Sequence, residues 1–459
     1  MNAIPKPFKH QLFSLRHSER NKHVFDLSDP GTGKTLVRIA AFAKRRRAKG
    51  GCMLVIAPRS LLRTVWLNDI KKFAPHLTVS VCDATNRDKG FAANADVYIT
   101  NTDAAKWLAA QKTPFFKKFS ELVIDESTAF KHHTSQRSKS MGKIAKHFEY
   151  RACMTGTPNS LSITDVWHQV FILDEGKRLG RSFYQFRDSV CTPKQVGRQA
   201  QMVKWEDKDG AEEAVFGLLS DIVVRHRFED CVDIPPNHQY TVDYGLTPKQ
   251  MKAYLDMEQT QLLMLNKTAS VTAINAAAVA TKLLQISSGA VYDGTGKYQV
   301  VDTARYEMIL DLIEQRNHSL TFFMWQHQRD MLVAEAEKRG ISFCLLDGGT
   351  SDRDRDEMVK GYQAGVYKTM FAHPQSAAHG LTLTRGTTTI WSCPTYNLEH
   401  FKQGSKRIPR MGQTQKTETI VVTAKGTIEE LVYQKMLVKD ARMTNLLELF
   451  SHSPQRKKA

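Results

Sequence analysis

Short apolar runs alternate with amphipathic stretches twice over in this chain, and that rhythm leaves few folds open. In the first half, residues 24–27, 53–57, 96–100 and 122–125 each read as a buried strand, and residues 34 to about 49 as a helix. Runs that are apolar on both faces belong in a parallel sheet covered by helices. The rhythm stops near Pro235-Pro236, and residues 247–288, rich in Ala, Leu, Met and Gln, read as helical. It resumes at 319–324, 343–346, 369–372, 389–391 and 419–422. The expected fold is α/β, with two parallel-sheet domains in tandem: a first domain over 1–235, a helical linker or protrusion over 236–300, a second domain over 301–450, and a basic tail over 451–459.

Charge and cysteine usage narrow the setting. Lys and Arg number 65 against 47 Asp and Glu, a formal charge of +18, so a polyanion is the natural partner: DNA, RNA or an anionic membrane surface. The seven cysteines are scattered, and no two sit at metal-ligand spacing, which predicts reduced thiols in a reducing compartment. Residues 1–10 carry Pro and Lys where a signal peptide needs an apolar run. No stretch approaches the roughly 18 apolar residues of a membrane span. The expectation is a cytoplasmic, non-secreted protein.

Two segments carry phosphate chemistry. Pro30-Gly31-Thr32-Gly33-Lys34-Thr35 lies between a predicted strand and a predicted helix, the setting a phosphate-binding loop requires. Glycines let backbone N–H groups approach phosphate oxygens at the positive end of the helix dipole. Lys34 would reach the β- and γ-phosphates of ATP, and the Thr35 hydroxyl would hold Mg2+. The common loop has Gly where this chain has Ser28. The second segment is Asp125-Glu126-Ser127-Thr128, directly after a buried strand. Carboxylates there lie at the ligand-binding edge of a parallel sheet. Asp125 would bind Mg2+ through water, and Glu126 would orient and deprotonate the attacking water.

A third segment, residues 403–413, places Gln403, Arg407 and Arg410 ahead of Gly412-Gln413. The two arginines are three apart, a spacing that gives them one face if they are helical. Arg suits a site where negative charge develops, being permanently ionised and matched to phosphate oxygens.

Taken in order, these segments resemble the motifs of superfamily 2 helicase-type ATPases of the Swi/Snf branch. Met154-Thr155-Gly156-Thr157-Pro158 is similar to motif three, which links hydrolysis to nucleic-acid contacts through hydroxyls like those of Thr155 and Thr157. Residues 403–413 are similar to motif six, 345–350 to the motif between four and five, 376–383 to motif five, 426–430 to the segment that follows motif six, and residues 57–62 with Trp66 to motif Ia. The resemblance runs from about residue 8 to 439. It implies two RecA-like domains, ATP with Mg2+, and Arg407 and Arg410 reaching across an interdomain cleft to the γ-phosphate, with Gln403 a further catalytic residue. It also implies an adenine-reading role for Gln11 and a nucleotide contact at Gly380. Nucleic-acid contacts would fall to Arg59, Ser60, Thr102, Lys131, Thr350 and Thr382. The basic run 44–47 reads instead as a solvated helix end. Two departures, Asp-Glu-Ser-Thr in place of Asp-Glu-Ala-His and Tyr396-Asn397 in place of Trp-Asn, resemble compact phage and bacterial members more than chromatin remodellers. The implied activity is ATP-dependent translocation on double-stranded or branched DNA, or remodelling of protein–DNA complexes, by a monomer. A strand-separating DNA or RNA helicase and a catalytically silent nucleic-acid-binding scaffold are the alternatives.

Overall fold

A computed structural model describes residues 7–159, 162–196, 202–231, 233–267, 273–377 and 381–451. The chain divides into two compact units, residues 1–233 with 439–459, and residues 234–438.

In the first unit the strands are β1 His23–Asp26, β2 Cys52–Ala57, β3 Val79–Cys82, β4 Val97–Asn101, β5 Phe119–Asp125, β6 Tyr150–Met154, the antiparallel pair β7 Cys191–Gln195 and β8 Val203–Asp207, and β9 Val223–Val224. Seven of them form one sheet in the order β3-β4-β2-β5-β6-β1-β9, with every pairing parallel. The centre of β2 and of β5 is wholly apolar because helices cover both sheet faces, and Leu54, Val55, Leu122 and Val123 have no exposed surface. Phe42, Trp66 and Ile70 fill one face.

Register decides where the chemistry falls. Met154, the last residue of β6, pairs with Asp26 on one side and Asp125 on the other. β1, β6 and β5 therefore end at one level. The segments that follow them, at 27–35, 155–158 and 126–128, emerge side by side although they are far apart in sequence.

The helix Lys34–Lys49 ends in the basic run, and its cations are used structurally. Arg45 Nη2 and Nε bond both oxygens of buried Glu121 at 2.6 and 3.1 Å, and Lys44 pairs with Glu19 at 2.6 Å. Arg46 pairs with Asp96. Lys44, Arg45 and Arg46, read as part of a solvated helix end, thus tie the helix to the N-terminal helix and to the sheet, while Arg47 is exposed.

The second unit opens on β10 Asn237–Tyr244, followed by helices Pro248–Lys267 and Ala273–Ser287 and the hairpin β11 Ala290–Tyr292 with β12 Tyr298–Val300. Helices then alternate with β13 Ser319–Phe322, β14 Phe343–Leu346, β15 Thr369–Ala372, β16 Thr388–Trp391 and β17 Thr417–Ala424. These strands form a parallel sheet in the order β10-β17-β16-β13-β15-β14. The fold is thus α/β with two parallel sheets in tandem. The segment 236–300 holds an edge strand and a hairpin as well as its helices. All seven cysteines are free thiols. Among the described residues no helix is long and apolar enough to cross a membrane.

One ion pair locks the second unit. Arg305, on helix Ala304–Glu314, donates from Nη1 and Nη2 to the two oxygens of Glu429 at 2.8 and 2.6 Å, and both side chains are fully buried. Glu429 Oε2 also accepts the Ala424 N–H at 2.7 Å, which fixes the end of β17. Removing one partner strands the other charge in the core, which costs about 3–5 kcal/mol. Glu429→Ala should therefore destabilise the second unit by about that amount. Hydrogen exchange over residues 304–314 and 417–424 should then accelerate relative to the first unit; unchanged protection there would show the pair to be dispensable.

Candidate functional site

The loop after β1 is built around two glycines in left-handed backbone, Gly31 at φ 90° and Gly33 at φ 82°. Both are also hemmed in sterically. A Cβ on Gly31 would lie 2.9 Å from the Phe228 ring, and one on Gly33 would collide with the Gln11 amide. Gly33 is the N-cap of helix Lys34–Lys49, so the loop's amides gather at a helix N-terminus, an arrangement that favours anions. Asp29 anchors the loop by accepting from Arg225 Nη1 at 2.6 Å and from the Phe228 N–H at 3.0 Å. Ser28, which replaces the usual glycine, accepts the His226 N–H on its hydroxyl at 3.1 Å. That hydroxyl joins the loop to the segment after β9.

Lys34 folds back over the loop, its Nζ donating to the carbonyl oxygens of Ser28 at 2.6 Å and Asp29 at 3.2 Å. Thr35 stands in the first turn of the helix, half-buried. Pro30 packs against Gly156, where a Cβ would come within 3.1 Å of its ring. Thr32 is buried and donates its hydroxyl to the Asp29 carbonyl at 2.9 Å. Gln11 is buried on the loop's other flank. Its Nε2 donates to the Thr32 carbonyl at 3.2 Å and its Oε1 accepts the Phe8 N–H at 3.0 Å. One end of the upstream glutamine's amide thus holds the loop, while the other holds the start of its own helix.

Asp125 closes β5 with its carboxylate almost fully enclosed. Oδ2 accepts from Trp66 Nε1 at 2.9 Å, and Oδ1 from the Glu126 N–H at 3.1 Å. Burial raises its pKa, an effect opposed by the Trp66 hydrogen bond and by the nearby charge of Lys34. Lys34 and Asp125 therefore belong to one electrostatic site. A carboxylate disfavoured by burial and within the field of a lysine fits a divalent cation, which would restore its preference for the ionised form. Glu126 adopts a left-handed backbone at φ 52°, which costs a non-glycine residue about 1–2 kcal/mol and turns its side chain away from the strand direction.

Thr155 and Thr157 are buried, their hydroxyls 3.5 Å apart, and the Thr157 N–H donates to Thr155 Oγ1 at 3.1 Å. Thr155 N also donates to the Asp26 carbonyl at 3.0 Å, continuing the β1–β6 ladder into the site. Sequence reasoning missed the residue joining this segment to Asp125-Glu126. Gln169, fully buried on helix Val166–Asp174, accepts from the Ser127 hydroxyl at 2.7 Å and donates from Nε2 to the Pro158 carbonyl at 2.8 Å. The signal available was Ser127 itself, a hydroxyl where the family's common motif has alanine; a buried hydroxyl needs a partner.

The second unit gathers Gln403, Arg407 and Arg410 at the end of helix Leu398–Ser405. The expectation that the two arginines share a helix face is corrected: the helix stops at Ser405, and both lie on the irregular segment after it. Pro409 has no N–H and disfavours helical backbone at Ile408 before it. Arg407 is buried, with Nε donating to the Gln403 carbonyl at 2.6 Å and Nη1 to that of Leu381 at 3.4 Å. Arg410 is half-buried; its Nη1 donates to Thr382 Oγ1 at 3.3 Å, and desolvation lowers its pKa to about 10, which leaves it ionised at neutral pH. Gln403 Oε1 is buried without a hydrogen-bond partner among the described residues. Gly380 lies outside the described residues.

Of the residues expected on nucleic acid, Arg59 and Thr382 are exposed, and Ser60, Thr102 and Thr350 are half-buried on loops that follow strands. Lys131 differs: its side chain is 12% exposed and pairs with Asp165 at 3.4 Å, so any outside contact would be made at the cost of that pair.

The SNF2-related domain family matches residues 15–288, more than half of the chain, and the helicase conserved C-terminal domain matches residues 304–412. The chain is 25% identical to a putative protein p41 of Acyrthosiphon pisum secondary endosymbiont phage 1, across 97% of this chain and 98% of that protein. It is 25% identical to the mouse DNA annealing helicase and endonuclease ZRANB3, across 94% of this chain and 39% of that protein. It is 24% identical to the human SWI/SNF-related matrix-associated actin-dependent regulator of chromatin subfamily A member 1, across 93% and 42%. This chain thus spans about two-fifths of each of those two longer relatives. A Sulfolobus solfataricus SWI2/SNF2 ATPase core solved with dsDNA aligns over 99% of this chain and 97% of that one, at 21% identity and a TM-score of 0.45. The chain belongs to the SNF2-related family and is a nucleotide-using ATPase of the helicase type.

Proposed function

We propose that this ATPase is a motor that steps along duplex DNA. The observation that carries the reading is the common level of β1, β6 and β5, which sets the phosphate loop, the Thr155–Thr157 segment and Asp125-Glu126 against one another. A nucleotide's phosphates on the loop would draw Lys34 Nζ off the carbonyls of Ser28 and Asp29. Pro30, Gly31, Thr32 and Gly33 offer the phosphates their backbone, and Gln11 borders the base. Thr35 and Asp125 would hold Mg2+, which when bound neutralises charge on the β- and γ-phosphates. Glu126 takes the proton of a water whose oxygen bonds to the γ-phosphorus as the bond to the ADP oxygen breaks. Arg407 and Arg410 would stabilise the charge on the transferred group, with Gln403 assisting catalysis and Gly380 contacting the nucleotide, as the family resemblance implies. Arg59, Ser60, Thr102, Lys131, Thr350 and Thr382 contact phosphates of the track, which fix position without reading sequence. The relatives named for acting on DNA support DNA over RNA. We further propose that the protein acts as a monomer in the cytoplasm, on double-stranded or branched DNA.

ATP hydrolysis measured with duplex DNA, single strands and RNA side by side should be stimulated most by duplex, at least about ten-fold. Strongest stimulation by single strands or RNA would sink the duplex reading. Displacement of a triplex-forming third strand, without separation of the underlying duplex, is the result expected of a translocase; unwound duplex would favour a strand-separating helicase.

Lys34→Ala and Glu126→Gln should abolish turnover. Arg410→Ala should slow single-turnover hydrolysis by roughly a thousand-fold. A wild-type rate in the Arg410 variant would remove it from the reaction.

Gln169 touches no substrate and is a positioning residue in this reading. Gln169→Leu should lower duplex-stimulated kcat by about ten-fold, while the KM for ATP and the basal rate stay within about two-fold of wild type. Equal loss of basal and stimulated rates would reduce Gln169 to a packing role.

A further inference from the structure

Helix Val166–Asp174 turns Gln169 toward the catalytic loops, and other residues of it line a groove against helix Gln136–Ala145. Two adjoining cavities of about 410 and 370 Å3 make up this groove, sharing Gly142, Lys143 and Phe171. Gly142 keeps the floor open, since a Cβ there would already touch Phe171 at 3.4 Å and His168 at 3.6 Å. The floor is aromatic. Trp167 stacks on Phe171 with ring centroids 5.2 Å apart, and His133 stacks on Phe183 at 3.8 Å. Tyr184, 58% exposed, stands edge-on to both His133 and Phe183.

The rim is cationic. Lys139 and Lys143 are four apart on one helix face, Lys146 follows directly after the helix, and Arg181 lies across the groove. All four are exposed, and none makes an ion pair among the described residues. The groove's one carboxylate, Glu175, is engaged by Arg151 at 2.7 Å. Two imidazoles lie beneath the floor: Nδ1 of His168, which is 3% exposed, and Nε2 of His133 are buried and have no hydrogen-bond partner among the described residues. Burial lowers the pKa of His168 to about 4 and lowers that of His133 as well, so both are neutral near pH 7. The positive charge of the groove therefore comes from the lysines and arginine, and the imidazoles contribute only ring surface to its floor.

We propose that this groove is an accessory site for single-stranded nucleic acid, with Lys139, Lys143 and Lys146 on successive phosphates and an unpaired base seated on the aromatic floor. A row of cations one helical turn apart suits a repeating anion. Exposed rings beside such a row form the stacking platform that unpaired bases use, and the bases of a duplex are already stacked within it. Tyr184, 58% exposed beside the aromatic floor, gives a base a ring face to stack on, which an acidic peptide's carboxylates would not use. The site is separate from the nucleotide site and stands whether or not the chain translocates.

The test is fluorescence anisotropy of a labelled oligothymidylate of roughly 15 nucleotides, without ATP, on the full chain and on Lys139→Ala/Lys143→Ala/Lys146→Ala. The triple variant should bind at least ten-fold more weakly. Its slope of log affinity against log salt should be shallower by about 2, as loss of three phosphate contacts requires. Its duplex-stimulated ATPase should stay within about two-fold of wild type. A 5-iododeoxyuridine oligonucleotide should photocrosslink to Phe171 or Tyr184. Wild-type affinity in the triple variant, or crosslinks confined to other residues, would overturn the proposal. So would a parallel loss of duplex-stimulated ATPase, which would assign the lysines to the motor's own track. Loss of polyglutamate binding with oligothymidylate binding intact would also overturn it, in favour of an acidic protein partner.

Discussion

The site turns on a carboxylate held almost entirely out of solvent. Asp125 ends a central strand whose three preceding residues have no exposed surface, and burial disfavours its charged form. A charge in such a place persists only with partners around it. Trp66, the Glu126 amide and the field of Lys34 supply them. Trp66 is fully buried in the core that packs β2, so the carboxylate's orientation is set by the same side chain that closes the hydrophobic interior. Packing and chemistry are therefore coupled here: a change that loosens the core around Trp66 also releases the metal-ligand candidate.

The phosphate loop is governed by a different constraint, close approach from two sides. Gln11 arrives from the N-terminal helix and Phe228 from the segment after β9, about two hundred residues later. Each presses on a glycine that already needs left-handed backbone. Arg225, Phe228 and His226 then bond Asp29 and Ser28. β9 is only two residues long, yet pairing with β1 delivers all three to the loop. A first unit ending before β9 would leave the loop braced on the Gln11 side alone.

These constraints explain what could be read in the sequence. Strands such as Cys52–Ala57 and Phe119–Asp125 announce themselves because a parallel sheet buried on both faces demands unbroken apolar runs. The loop and the Asp-Glu pair are legible because phosphate chemistry restricts residue type at fixed spacing. β10 was not legible. Asn237–Tyr244 is a polar, exposed edge strand, with a burial pattern no hydropathy reading would notice. β6 hides for another reason: Arg151 interrupts it, and that buried guanidinium bonds the Phe148, Ile172 and Leu173 carbonyls, the last two in the final turn of helix Val166–Asp174. The reading of Arg407 and Arg410 as a helical pair failed because spacing alone does not fix where the helix stops, and it stops at Ser405, ahead of both. Ser127 was visible as a departure, but its partner Gln169 lies forty-two residues away and becomes apparent only through contact.

That pairing also shows how a departure from a common motif is absorbed. A serine hydroxyl buried without a partner would cost about 1–3 kcal/mol. Gln169 accepts its proton, and its own amide is satisfied by the Pro158 and Asp165 carbonyls. The substitution has thus replaced an apolar contact with a directional one. An apolar contact tolerates sliding between the Asp-Glu segment and the Thr155–Pro158 segment; a hydrogen-bonded bridge at 2.7 and 2.8 Å does not. Movement of one segment must therefore carry helix Val166–Asp174 with it or break a buried bond. Since that helix also carries Trp167, His168 and Phe171, the floor of the basic groove is mechanically continuous with the Asp125–Thr128 and Thr155–Pro158 segments.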